Sequence, residues 1–204
     1  MPQPKHAFMH ILFAKNPILV RAIGLGPVIS TTLSLKNGVA ISLIMVVLTL
    51  GGTAFDILLA SRIPDRFRLP AHMVLSTALL IPAYLMCNLL MQHSIAALGV
   101  FAPLMAVNSI LSAIKGSKAE SRRVFMSESL GNLAGFVGVV LLLSIVRELL
   151  TTGTLWGVQM QNSFRLSGAR LPFICFIALG FCAALSKYIR ILNKPADSRR
   201  TERG

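Results

Sequence analysis

Long apolar stretches recur along this chain, each close to the length that a helix needs to cross a lipid bilayer. A bilayer core about 30 Å thick requires about 20 mainly apolar residues in helical form. Six such stretches can be placed, at 17–32, 38–61, 70–92, 95–113, 129–147 and 171–191. The first and the fourth are short and contain Pro27 and Pro103, which remove a backbone donor and interrupt a helix. The pattern predicts an all-α integral membrane protein with six transmembrane helices, of which the first and fourth are interrupted.

The distribution of basic residues explains a net charge of +13 without nucleic acid. Only 13% of the residues are charged, whereas soluble domains have about 25%. With six spans, 15 of the 20 Lys and Arg residues lie on the side that carries both termini, and four lie on the other side. Cytoplasmic loops retain Lys and Arg. We therefore expect cytoplasmic termini, a single membrane domain at 1–192 surrounded by lipid, a polar cytoplasmic tail at 193–204, and no nucleic-acid partner.

A short pattern recurs in the first and fourth spans and suggests an internal repeat. The segment 23–28 (IGLGPV) resembles 98–104 (LGVFAPL), and small or polar residues follow both. Because the first copy begins a unit of three spans, an odd number, the second copy, which begins at span four, enters the membrane from the opposite side. Interrupted helices at matching positions of inverted halves tend to meet at the bilayer midplane. The sequence predicts halves at about 17–93 and 95–192; two unrelated proline kinks in a six-helix bundle are the alternative.

Charged side chains within apolar spans are costly and are therefore candidates for a site. Arg21 and Asp56 each fall a few residues from the cytoplasmic end of a span, and a pair between them would neutralise both charges. Snorkelling of each side chain to the interface is the alternative. The cysteines Cys87, Cys175 and Cys182 have no metal-binding spacing, so we expect structural thiols.

Several motifs together resemble one family of membrane proteins. They are Asn16–Pro27, Pro103–Asn108, Gly131–Phe136, Arg147–Leu150 and Gly153–Gly157. The segment Arg147-Glu148-Leu149-Leu150 with its trailing Gly-Thr-Leu is the most specific. The chain is similar, from about residue 12 to residue 190, to the six-helix subunits of the Rnf complex and of the sodium-translocating NADH:quinone oxidoreductase, and it fits the RnfE/NqrD branch better than the RnfA/NqrE branch.

The resemblance implies partners, a location and a cofactor. A subunit of this kind pairs with its inverted homologue, RnfA/NqrE-like, among the other subunits of a complex in the bacterial cytoplasmic membrane. In the family, one cysteine from each interrupted helix of both partners binds a shared [2Fe-2S] cluster. Here Gly26 and Ser109 stand at the two cysteine positions, and neither supplies a thiolate. We expect no cofactor, no metal ligand and no catalytic residue in this chain. Arg147 and Glu148, at the outer end of the fifth span, suggest a structural clamp.

Two functions remain open at this point. The first is a membrane subunit of an Rnf/NqrDE-like ion-translocating electron-transport complex, an oxidoreductase subunit that is not catalytic alone, without its own iron-sulfur ligands. The second is a repurposed transporter or scaffold that keeps the inverted repeat without redox chemistry. Neighbouring genes for a homologous partner and for flavin or iron-sulfur subunits would favour the first.

Overall fold

The structure is a computed structural model of the chain, and it describes residues 25–58, 63–91, 98–107, 122–160 and 166–192. Its helices are α1 (Leu25–Thr31), α2 (Leu35–Leu58), α3 (Asp65–Leu90), α4 (described over residues 101–107), α5 (Arg122–Thr152) and α6 (Pro172–Leu192). Two short strands, β1 (Thr154–Leu155) and β2 (Val158–Gln159), and a 3₁₀ turn, Ser167–Arg170, lie between α5 and α6. Arg21 and Ser109 lie outside the described residues, as do the tail and the two ends of the fourth predicted span, 95–97 and 108–113.

Within the described part, three helices are long and apolar enough to cross a membrane, namely the segments Leu35–Leu58, Arg66–Leu90 and Phe125–Thr152. The segment Pro172–Tyr188 is a shorter apolar helix. The prediction of a helical membrane protein is thereby confirmed. The long helices extend a few residues beyond the predicted spans at one or both ends, because polar and charged residues continue a helix wherever its backbone remains satisfied.

Helix α2 lies between α3 and α5 and forms the centre of the fold. Its buried face carries Ile41, Ile44 and Leu48, and α5 contributes Phe136 and Val140. Glycines permit the close approach of the helices, since a Cβ at Gly38 would lie 2.8 Å from the Ser144 Cβ on α5. The core is therefore a helix-on-helix interface, and the absence of a side chain at Gly38 allows the short distance between α2 and α5.

Helix α3 presents a long apolar face that is not covered by the rest of the described chain. Met73, Val74, Ile81, Leu85 and Leu89 are all exposed there. Side chains of this kind face lipid or another membrane subunit in a membrane protein. Several hydroxyls along the helices donate to the carbonyl four residues earlier, as Thr53 does to Thr49 (2.7 Å), so these polar groups are satisfied within apolar surroundings.

A tight hairpin follows α5 and was not predicted from the helical pattern. Gly153 ends the helix with a φ of 66°, and the two strands pair antiparallel, Leu155 opposite Val158. Trp156 and Gly157 form the two-residue turn with φ values of 58° and 85°. Two consecutive positive φ values are typical of a type I′ turn, whose twist matches a hairpin and which favours glycine at the second position.

Candidate functional site

The first candidate site is a pair of buried charges, Arg147 and Glu148, in the last turns of α5. Their exposed fractions are 1% and 4%, although the sequence placed them at the end of a span. Helix α5 continues past them to Thr152 and ends at Gly153 instead. The helix can continue because the two charged side chains are satisfied inside the protein.

Arg147 caps the end of α1. Its Nη1 donates to the backbone carbonyl of Ile29 at 2.6 Å and to the Thr32 Oγ1 at 2.9 Å. Because α1 ends at Thr31, the carbonyls of its last turn have no partner within the helix. A guanidinium at this position satisfies such a carbonyl and also complements the negative end of the helix dipole.

The same guanidinium reaches the 3₁₀ turn before α6. Its Nε donates to the Ala169 carbonyl at 3.4 Å and its Nη2 donates to the Arg170 carbonyl at 3.3 Å. Arg147 thereby joins three segments that are distant in sequence, and its planar fork makes four hydrogen bonds to four separate acceptors.

Glu148 makes the complementary contacts at the start of α2. A carboxylate oxygen accepts a hydrogen bond from the backbone N–H of Leu35, the first residue of that helix. Its Oε1 also accepts from the Thr154 hydroxyl and from the Gly157 N–H, both at 3.3 Å. An anion at a helix N-terminus satisfies an unpaired donor and complements the positive end of the dipole.

Together the two residues close the break between α1 and α2. Adjacent side chains of opposite charge bind the end of one helix and the start of the next, and they connect this break to the hairpin and to the 3₁₀ turn. We call this cluster of contacts the Arg-Glu node, defined by Arg147, Glu148 and their partners. The node accounts for the motif in which Arg-Glu precedes Gly-Thr-Leu-Trp-Gly, because the hairpin turn supplies one of the donors to Glu148.

The second candidate site lies between α2 and α3 and contains Asp56. Its Oδ1 is 3.5 Å from the Arg68 Nη2, and its Oδ2 is 3.2 Å from the His72 Nε2. The Asp56 and His72 side chains are 4% and 5% exposed, whereas that of Arg68 is 28% exposed. The sequence proposed Arg21 as the partner of Asp56; within the described residues, its charged neighbours are Arg68 and His72. The sequence contains a signal for this cluster: Arg68 and His72 lie one helical turn apart on α3, and a short connection joins α3 to α2, which carries Asp56.

The cysteines and Gly26 offer no metal-binding set within the described part of the chain. The Cys175 Sγ lies 3.9 Å from the Thr32 Oγ1, beside the Arg-Glu node, and the Cys87 Sγ donates to the Ala40 carbonyl at 3.5 Å. Gly26 lies in α1, and a Cβ built on it would meet nothing within 4 Å. Gly26 therefore has no donor atom for iron, and no other described side chain occupies the place that a ligand side chain at this position would take. In the described residues, no group of three or more His, Cys, Asp or Glu side chains could hold a metal ion.

These features define a multi-pass helical membrane protein in which buried charges hold the connection between α1 and α2. A model of the Rnf-Nqr subunit family of membrane proteins matches residues 5–184, and the chain belongs to this family. The resemblance inferred from the motifs is thus confirmed.

Relatives agree with the assignment to the family. The chain is 28% identical to an ion-translocating oxidoreductase complex subunit (RnfE) of Shewanella loihica, over 93% of this chain and 88% of the relative. The identity to the corresponding protein of Shewanella oneidensis is also 28%, over 94% and 88%. The corresponding member of the Na⁺-translocating ferredoxin:NAD⁺ oxidoreductase complex of Acetobacterium woodii is 28% identical, over 85% of this chain and 91% of that protein.

Proposed function

We propose that this chain is a membrane subunit of an ion-translocating electron-transport complex. The observation that carries the proposal is the family match over residues 5–184, together with relatives that are subunits of such complexes and align over most of their length. The buried Arg-Glu node supports the proposal structurally, because two buried charges, which are costly to bury, hold the connection between α1 and α2. Helix α1 belongs to the first predicted span, which we expect to be interrupted, and interrupted helices in membrane proteins commonly border functional sites.

The proposed architecture has six crossings in two inverted halves, 17–93 and 95–192, with both termini on the cytoplasmic side of a bacterial cytoplasmic membrane. One parallel between the halves supports it: α1 and the described helix at 101–107 each contain a proline, Pro27 or Pro103. Phosphatase fusions test the orientation. A fusion at Asn193 is expected to be inactive, and periplasmic activity there would contradict the topology.

The proposed partner is a homologous membrane subunit of the RnfA/NqrE kind, within a larger complex and in contact with lipid. The uncovered apolar face of α3 is large enough to contribute to such contacts. Affinity purification of the tagged chain from its native membrane is the direct test. We expect the homologous subunit and flavin-containing or iron-sulfur subunits to copurify. Recovery of the chain alone, from membranes that contain those subunits, would contradict the proposal.

The family's cluster does not fit the residues of this chain, and we propose that the chain supplies none of its ligands. Gly26 has no donor, and serine at position 109 offers only an oxygen. Iron and acid-labile sulfide analysis with EPR on the purified pair compares the wild type with the double variant Gly26→Cys, Ser109→Cys. We expect no cluster bound through this chain in the wild type. A wild-type cluster that is lost on substitution of Cys87, Cys175 or Cys182 would overturn the proposal.

The absence of a side chain at Gly26 also favours a second candidate function. A protein that keeps the interrupted helices without a cluster ligand is suited to act as a transporter or scaffold without redox chemistry. The copurification experiment separates the two, because a scaffold or transporter would be recovered without flavin or iron-sulfur subunits. Genes next to the coding sequence give an independent readout.

A further inference from the structure

The cluster between α2 and α3 contains a carboxylate and an imidazole that are both almost fully buried. Asp56 lies in the last turn of α2, and His72 lies one helical turn beyond Arg68 on α3. The His72 Nε2 is 3.2 Å from the Asp56 Oδ2. The centroids of the Phe55 ring and of the His72 imidazole are 5.8 Å apart. The two polar groups therefore face each other in surroundings that exclude water on at least one side.

The contact between the two groups is close but incomplete. The Asp56 Oδ2 and both ring nitrogens of His72 have no hydrogen-bond partner among the described residues. The other carboxylate oxygen has a guanidinium 3.5 Å away, and that guanidinium belongs to a side chain that is partly exposed to solvent. A buried carboxylate needs a hydrogen-bond donor or a nearby positive charge. The arrangement is short of one donor at the Oδ2 of Asp56.

We propose that Asp56 and His72 form a proton-binding site within the membrane-spanning part of the protein. Binding forms an N–H bond at an imidazole nitrogen with a proton taken from water, and the charge of the Asp56 carboxylate, whose Oδ2 lies 3.2 Å from Nε2, stabilises the resulting imidazolium. Release returns the proton to water and leaves a neutral ring, with no change in the number of electrons. A carboxylate beside an imidazole stabilises the protonated ring.

The chemistry of the site favours a proton over a metal cation. Alkali and alkaline-earth cations are bound by several oxygen ligands, and this site offers one carboxylate and one imidazole. A proton needs only the pair itself.

A buried hydroxyl continues the polar line along α3. Ser76 lies four residues after His72, about 6 Å along the helix, and its Oγ is fully buried without a hydrogen-bond partner among the described residues. Buried polar atoms of Asp56, His72 and Ser76 therefore follow one another along the α2–α3 interface, from the start of α3 towards its middle. A proton held by His72 has an acceptor one turn away in that direction.

The charged neighbours of the pair define the controls. Helix α3 contributes Arg68, and on α5, which packs against another side of α2, Glu128 is the carboxylate at a similar level. Helices α2 and α5 run antiparallel, because Leu35 contacts Glu148 and Gly38 lies against Ser144. Counted along both helices from these contacts, Glu128 lies at about the same height in the bundle as Asp56. Replacement of Glu128 removes a carboxylate from the same end of the bundle without removing the one that faces His72.

The test is nitrogen NMR of the purified full chain with labelled histidine, and His72→Gln identifies the His72 signals. The quantity compared is the fraction of rings protonated at both nitrogens, measured at one pH at which the wild type shows both the neutral and the protonated ring. In Asp56→Asn the protonated fraction should fall about tenfold at the same pH, and Asp56→Glu should restore it. Glu128→Gln should leave it unchanged. Arg68→Gln should raise it, because a competing positive charge is removed.

The outcomes separate the proposal from its alternatives. An unchanged His72 signal in Asp56→Asn, or a decrease in Arg68→Gln, would overturn the proton site. Displacement of the proton by sodium at constant ionic strength would instead assign a sodium site and overturn the choice of ligand. The inference deepens the proposed function by naming the ion bound. Since the measurement is made on the isolated chain, its failure is distinct from failure to copurify with the complex.

Discussion

Removal of the guanidinium of Arg147 is the sharpest test of the Arg-Glu node. Arg147→Ala deletes four donated hydrogen bonds, of which the two to α1 and its end are short, at 2.6 and 2.9 Å. The Ile29 carbonyl then loses its side-chain partner inside the protein. Bonds to a charged group contribute about 1.5–3 kcal/mol each, but such values do not add within one cluster. Removal of one partner from a buried charged cluster costs about 3–5 kcal/mol.

The expected loss of stability is large enough to measure by thermal unfolding in detergent. For a chain of this size, 1 kcal/mol corresponds to about 2–4 °C, so we expect the Tm of Arg147→Ala to fall by roughly 6–20 °C. A dye that becomes fluorescent on reaction with thiols reports unfolding, because Cys87 and Cys175 are buried in the folded protein. Arg147→Lys should give a smaller decrease, since one ammonium cannot reach all four acceptors.

The matched control is Arg170→Ala. Arg147 donates a hydrogen bond to the backbone carbonyl of Arg170, and this carbonyl remains when the side chain is replaced. Residue Arg170 is exposed, so Arg170→Ala removes a nearby positive charge and leaves the node intact. We expect the Tm of this control to stay within about 2 °C of the wild type. If Arg147→Ala were as stable as the control, the node would not hold the α1–α2 break, and the reasoning would be refuted.

Three further substitutions test the remaining contacts by the same melting assay. Glu148→Gln keeps the size of the side chain and loses the charge at the start of α2, so we expect a loss of about 1–2 kcal/mol; equal stability would show that the charge has no role. Gly38→Ala introduces a Cβ against Ser144 and should cost about 1–3 kcal/mol, with partial recovery in the double variant Gly38→Ala, Ser144→Gly; no recovery would place the strain elsewhere. Gly157→Ala forces a φ of 85° on a residue with a side chain and should cost about 1 kcal/mol, and a neutral result would argue against the type I′ turn.

The buried charges also connect the fold to the proposed function. The end of α1 and the start of α2 carry backbone groups that lipid cannot satisfy. In this protein a neighbouring helix provides both a cation for the carbonyl end of α1 and an anion for the amide end of α2. The connection between α1 and α2 is thereby fixed by side chains of α5.

The sequence by itself determined the class of protein. Apolar stretches of about 20 residues, separated by basic connections, admit few structures other than a helical membrane protein, because lipid leaves the backbone no partner except its own helix. The motif around Arg147 and Glu148 was sufficient to indicate the family, and the resemblance led to the prediction that Gly26 stands at a cluster-ligand position. These conclusions depend on local composition and order along the chain.

Only the tertiary structure decided what the charged residues contact. Periodicity placed Arg147 and Glu148 at a helix end, but their partners lie on α1, α2, the hairpin and the 3₁₀ turn, up to 118 residues away in sequence. The juxtaposition of Asp56 and His72 likewise depends on the register of two antiparallel helices. The hydrogen-bond partner of a residue across an interface depends on which helix faces pack together. The packing of these faces is determined by side chains throughout the core, and the sequence next to either residue does not contain it.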